Sequence, residues 1–294
     1  MMSLMRPVLA LVAALLVPAG ALAQEKTADD VVVTAQKQMD RSTAQRFVNR
    51  ITLTTGDQIA RFDAPVCPVA IGFEPAIEQQ IVARMRRVAA AAGAKLAKQG
   101  CAGNIALLTT DDGGALMRTL RSTHPNLLEG LQPREIDRLI ARGGPVRSWT
   151  ATAVVNEDGQ RPGNTLGGNS LNPPNLIVKS ASIVDPPVKQ IIESATVVMD
   201  SAAVPGKSVI QLADYAVMRA LARTRPVEGG SAGASTILAL FDPVSTPPLS
   251  VTETDIAYLK ALYAMPGNRW STYQAARIAK AVKKASAPEP ATAP

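Results

Sequence analysis

Residues 66–73 read VCPVAIGF, residues 75–96 read PAIEQQIVARMRRVAAAAGAKL, and residues 104–110 read NIALLTT. The first stretch is short, apolar and rich in β-branched residues, which predicts a strand from Val66 to Phe73. Pro75 suits the first position of a helix, and Ile77, Ile81, Met85, Val88, Ala92 and Leu96 then recur at helical spacing. Asn104 to Thr110 predicts a second strand. Asp112 is placed to cap a helix running through Leu116 and Leu120. Pro133 to Arg142 reads as a short helix, with Gly143 as its stop. Strand, helix, strand, helix in this order predicts an α/β (or α+β) domain, a twisted mixed or parallel sheet with packing helices.

Outward from this core the pattern continues. Arg147–Val155 and Leu176–Val184 read as further strands, separated by a segment rich in Gly, Asn and Pro at 156–175. Loops of that length without structure are functional or disordered. Ala195–Asp200 reads as a compact buried strand, and Ser208 as the cap of a helix reaching about Arg223. Thr252-Glu253-Thr254-Asp255 resembles a capping box, opening a helix with Ile256, Leu259, Leu262 and Tyr263 on it. A last helix is expected from Thr272 to Lys284. The expected organisation is a signal peptide at 1–23, a flexible leader at 24–45, one globular domain at 46–285 and a disordered Ala/Pro tail at 286–294.

The leader sets the compartment. Arg6 precedes an apolar run from Pro7 to Val17, and Ala21-Leu22-Ala23 forms a small-x-small site, so cleavage is expected after Ala23. Pro18 and Gly20 interrupt a run already short of the roughly 20 apolar residues of a membrane span. The mature protein is therefore expected in the periplasm or secreted, without a span. Cys67 and Cys101 are the only cysteines in the chain, and in an oxidising compartment such a pair predicts a disulfide. Zinc is a poor fit for them, since four N or S ligands are usual and His124 is the only histidine to join them. The formal charge of +7 includes Arg6 of the leader. It is scattered in ones and twos apart from Lys283-Lys284. No basic face interleaved with aromatics emerges, which argues against nucleic acid. Asp29 to Ala35 reads DDVVVTA and resembles a TonB box, a segment that pairs with a partner's sheet edge.

Four further stretches resemble chemistry. Gly229-Gly230-Ser231-Ala232-Gly233 fits a nucleophile elbow, yet a turn precedes it where a strand is needed and His124 lies upstream. Ser201 to Ser208, SAAVPGKS, approaches a phosphate-binding loop. Ser201 replaces its first Gly and Pro205 removes an N–H from the cradle, so the expectation is a turn at Gly206 and a cap at Ser208. Asp111 and Asp112, at a strand end where ligand sites collect in α/β sheets, form the best acidic pair. Arg61, Arg147 and Trp149, polar and aromatic groups beside strands, are the remaining binding-cleft candidates.

The C-terminal third resembles the metzincin branch of the zincin metallopeptidases. Ser235-Thr236-Ile237-Leu238 stands where that family carries its Ser-Ile-Met turn, and residues 249–263, LSVTETDIAYLKALY, resemble its closing helix. Strand, long helix, several strands and a metal-bearing helix is the layout this resemblance implies. The whole chain also resembles a group of alphaproteobacterial exported proteins. The helix that would bear the metal reads SVIQLADYAVMRALA at 208–222. Zinc proteolysis needs two His one turn apart, a Glu beside the first and a third ligand. Matching Ala220-Leu221-Ala222 to the family's Ala-Leu-Gly puts the ligand positions on Tyr215, Arg219 and Arg225, with Ala216 in place of the base. The expectation is therefore a zincin-like layout with no metal, no cofactor and no catalytic residue. It would be a binding or scaffold protein for a peptide or an envelope protein. The alternatives are a hydrolase using Asp111 or Asp112 and a TonB-system accessory protein.

Overall fold

A computed structural model describes residues 39–128, 130–163, 175–179, 185–230 and 233–286. Five strands form one sheet: β1 (Arg61–Phe62), β2 (Pro68–Ile71), β3 (Ile105–Thr110), β4 (Val146–Asn156) and β5 (Val188–Asp200). β5 is its axis. Along one side it pairs antiparallel with β4; on the other it pairs parallel with β1 at Ile191–Ile192 and with β3 at Ala195–Asp200. β2 lies parallel outside β3, with Val69 opposite Ala106. The sheet is mixed and mostly parallel, as the strand–helix–strand core predicts.

Among the described residues seven helices accompany it: α1 (Arg41–Ile51), α2 (Pro75–Ala91), α3 (Gly113–Thr123), α4 (Pro133–Ala141), α5 (Val209–Leu221), α6 (Glu253–Ala264) and α7 (Ser271–Ala285). α2 makes the crossover between β2 and β3. The apolar period of its sequence runs on to Leu96, but the helix stops at Ala91 because Gly93 takes φ +83°, open to glycine and strained for other residues. Leu96 instead bridges Val66 beside β2. α5 is buried all round, from Gln211 to Leu221, as befits a helix at the centre of a core. It packs between the sheet and the layer of α2 and α6. α3 and α4 cover the other face over a small cluster of Met117, Leu128, Trp149 and Val198.

Two boundaries differ from the sequence reading. The domain does not wait until residue 46: α1 starts at Arg41, capped by Asp40, whose Oδ1 accepts from Thr43 N at 2.7 Å. Ala44, Phe47, Val48 and Ile51 are fully buried on one stripe, and α1 packs along α7. Nor is the expected strand at 176–184 among the described ones, and β4 pairs elsewhere. Residues 176–179 are irregular, while 180–184 lie outside the described residues. The partner is β5, which starts seven residues before the expected Ala195. A bulge leaves Glu193 without a partner in β4, which breaks the alternation that would have revealed the strand.

Cys67 and Cys101 form the expected disulfide, spanning 34 positions. It ties the start of β2 to the loop that feeds β3. On the chain-entropy account a loop of this size contributes about 3–4 kcal/mol. The Cys67→Ser, Cys101→Ser double variant should unfold at correspondingly lower urea concentration, and reductant should lower the wild-type midpoint but not the variant's.

Candidate functional site

The fold brings three distant elements around one cleft of about 220 Å³. β4 contributes Ser148, Trp149 and Thr150, α4 and its C-cap contribute Glu135, Arg138, Leu139 and Arg142, and the last turn of α5 with the residues just after it contributes Arg219, Arg223 and Thr224. No described strand pairs with the outer edge of β4.

Alternation along β4 splits its side chains between the two layers. Trp149 enters the α3–α4 cluster and donates from Nε1 to Leu127 O at 3.2 Å. Arg147 turns the same way and acts as a clamp. Its Nε donates to Leu139 O at 3.1 Å and its Nη2 to Arg142 O at 3.0 Å, both carbonyls at the end of α4. Its Nη1 meets Asp200 Oδ1 at 3.1 Å, and that oxygen also accepts from Gly113 N at 2.9 Å. A Cβ on Gly113 would stand 2.5 Å from Arg147 Nη1, so the clamp requires glycine there. Arg147 thus positions α4 over the cleft.

From the other layer, Arg219 reaches β4. Its Nη1 donates to Tyr215 Oη at 2.8 Å, one helical turn earlier, and its Cζ lies 5.7 Å from that ring's centroid. Its Nη2 donates to Ser148 Oγ. Nε is buried and has no partner among the described residues, and neither has Thr150 Oγ1, whose residue also lines the cleft. No carboxylate of the described residues pairs with Arg219, although it is only 6% exposed. Arg223, at the helix end, takes φ +37° and donates to Thr55 Oγ1. Burial holds its pKa below the ordinary value, with Glu135 opposing. Arg138 is exposed, and Arg142 pairs with Glu228 at 3.2 Å on the surface.

Of the sequence-derived candidates, only Trp149 and Arg219 line this cleft. Arg61 sits elsewhere, donating from Nη1 to Leu262 O at 2.7 Å and Tyr263 O at 2.6 Å. Arg61 holds the C-terminal carbonyls of α6. Asp111 accepts from Ser201 Oγ at 2.6 Å, and Asp112 caps α3 by accepting from Ala115 N at 2.9 Å. Both are exposed and already committed to local bonds, which does not make them an acid–base pair. That cap holds the Asp112 carboxyl below its ordinary value of 3.8. A depressed carboxyl stabilises above its unfolded pKa, and the contribution disappears as pH falls through the lower folded value. Asp112→Ala should therefore lower the urea midpoint at pH 6, and the gap should close as pH falls below 3.8. Ser208 caps α5 as expected, accepting from Gln211 N at 3.1 Å. Ser231 and residues 29–35 lie outside the described residues. Gly230 N donates to Asp242 Oδ2 at 2.9 Å, an anchor for its loop.

Zinc, which the metzincin resemblance would imply, does not fit these positions. Tyr215 and Arg219 lie one turn apart, but a guanidinium has no lone pair to give a metal, and Tyr215 Oη accepts from it. Arg225 is exposed and does not join them; its backbone N donates to Ile51 O at 2.7 Å. Among the described residues no three His, Cys, Asp or Glu side chains gather closely enough to hold a metal ion. No described helix is long and apolar enough to cross a membrane.

Sequence reasoning missed Arg223, Arg138, Ser148 and Thr150. The one available signal was the pair of arginines near the expected end of the helix; α5 stops at Leu221, so Arg223 lies past it and not on its face. Compared with family models, curated proteins and solved structures, the chain matches none.

Proposed function

We propose that this is an exported, non-catalytic binding protein whose cleft between β4, α4 and α5 holds an extended peptide segment. The observation that carries the reading is the Tyr215–Arg219 hydrogen bond, which reaches β4 through Ser148, beside an edge of β4 that has no partner among the described residues. An extended segment can add to such an edge through backbone hydrogen bonds, with specificity supplied by neighbouring pockets. The residues offered by α5, a guanidinium bonded to a phenol where a metal would need ligands, support binding without hydrolysis. The leader at 1–23 supports a periplasmic or secreted setting, where peptides and envelope proteins are the available partners.

The test uses mature protein purified from the periplasm without chelators or a His tag. Extended peptides should bind and be recovered intact, and zinc should be absent from the preparation. Metal-dependent cleavage of denatured casein would overturn the reading.

A further inference from the structure

We infer that the arginine cluster of this cleft is a carboxylate-binding site, with Arg219 as its central group. This deepens the peptide-binding reading and rests on it. A buried guanidinium is costly unless an anion compensates it. Arg219 is 6% exposed and meets two hydroxyls, those of Tyr215 and Ser148, but no carboxylate. Both hydroxyls are neutral and hold the guanidinium in place without cancelling its charge. Two buried polar atoms in the same wall, Arg219 Nε and Thr150 Oγ1, are left without partners. Among the described residues the wall of this one cleft thus carries a cation without a counter-charge and two polar atoms without hydrogen bonds.

The surroundings add to the positive potential. Arg223 and Arg138 line the cleft, with Glu135 as its single carboxylate. Glu135 is itself engaged, with Oε2 accepting from Gln132 N at 2.8 Å in the capping box of α4. A guanidinium is planar and offers its donors as a fork, which matches the two oxygens of a carboxylate. The cleft volume of about 220 Å³ suits one terminal group of a ligand rather than a whole drug-sized molecule. The peptide chain would continue along the β4 edge outside it. A peptide reaches this cleft with a carboxylate from either its own C-terminus or an Asp or Glu side chain. The shared chemistry is the carboxylate.

Three fluorescein-labelled alanine-rich decapeptides distinguish the sources: one with a free C-terminus, one amidated, and one amidated with a central Glu. Fluorescence polarisation should show at least tenfold tighter binding of one or both carboxylate peptides than of the uncharged one. The free-terminus peptide binding alone would assign the C-terminus, and the Glu peptide binding alone would assign the side chain. Arg219→Met should abolish that preference without lowering the melting temperature, because it removes an unpaired buried charge. Arg219→Lys keeps the charge without the fork and should retain only part of the preference. If Arg219→Met misfolds, Arg223→Gln, at the half-exposed helix end, should weaken the carboxylate peptides selectively. Equal binding of all three peptides, unchanged in Arg219→Met, would overturn the carboxylate site and leave the peptide cleft standing. If no peptide binds, the cleft reading fails. Succinate that then still raises the melting temperature of wild type, but not of Arg219→Met, would support the carboxylate site alone, and its failure to do so would overturn it.

Discussion

Replacing Asp214 by alanine is expected to lower the unfolding free energy by about 3–5 kcal/mol, the usual cost of removing one partner from a buried ion pair. Asp214 sits within α5 and is fully buried. Its two oxygens receive Arg84 of α2 as a fork, Nε at 2.6 Å and Nη2 at 2.7 Å. Oδ2 also accepts from Val251 N at 2.7 Å, ahead of α6. One carboxylate therefore joins three segments at the centre of the core. Its loss leaves a guanidinium and a backbone N–H without partners where water has no access. Urea denaturation followed by far-UV circular dichroism measures the effect. Arg84→Met, which strands the carboxylate instead, should cost a similar amount. Replacing both together should cost less than the two single changes added, since neither charge is then left alone.

Asp255→Ala should be comparably severe, about 3–5 kcal/mol, because several buried donors lose one acceptor. Asp255 Oδ1 accepts from Thr236 Oγ1 at 2.5 Å, and Oδ2 accepts from Ile237 N at 2.9 Å and Thr252 N at 3.0 Å. Thr252 caps α6 and Thr236 opens the 3-10 turn at Ile237–Ala239, so this carboxylate couples a turn to a helix start. Asp255→Asn preserves the shape but turns an NH2 toward backbone N–H groups. It should recover little of the loss. Hydrogen exchange should then show the turn at 237–239 and the first turn of α6 opening together.

Much of this architecture could be read from local chemistry. The strand–helix–strand at 66–110, the caps at Asp112, Ser208 and Thr252, and the cysteine pair all follow rules that act within a few residues. What escaped depends on distance or irregularity. α1 hides behind polar neighbours although Ala44, Phe47, Val48 and Ile51 mark its face. The first half of β5 was obscured by its bulge at Glu193. The cleft was hardest, since β4, α4 and α5 meet only in the folded chain. Trp149 and Arg219 could be singled out, but whether Arg219 had a counter-charge was not decidable from sequence. Arg61 misled because a polar residue on a strand looks the same whether it lines a cleft or holds carbonyls of a distant helix.

The edge of β4 that no described strand covers also bears on how the protein behaves in a crowded solution. An open strand edge is a template on which a second copy can pair, and repeated pairing leads to aggregation. Here a second copy approaching that edge would also bring the arginines that line its cleft, Arg138 and Arg223 among them, toward those of the first. Like charges meeting as water is excluded repel strongly, so the cluster disfavours pairing of copies at this edge. Salt shortens the range of that repulsion, to roughly 8 Å at physiological ionic strength. The protein should therefore be most resistant to self-association in dilute buffer, and an anion that neutralises the arginines would remove part of that protection.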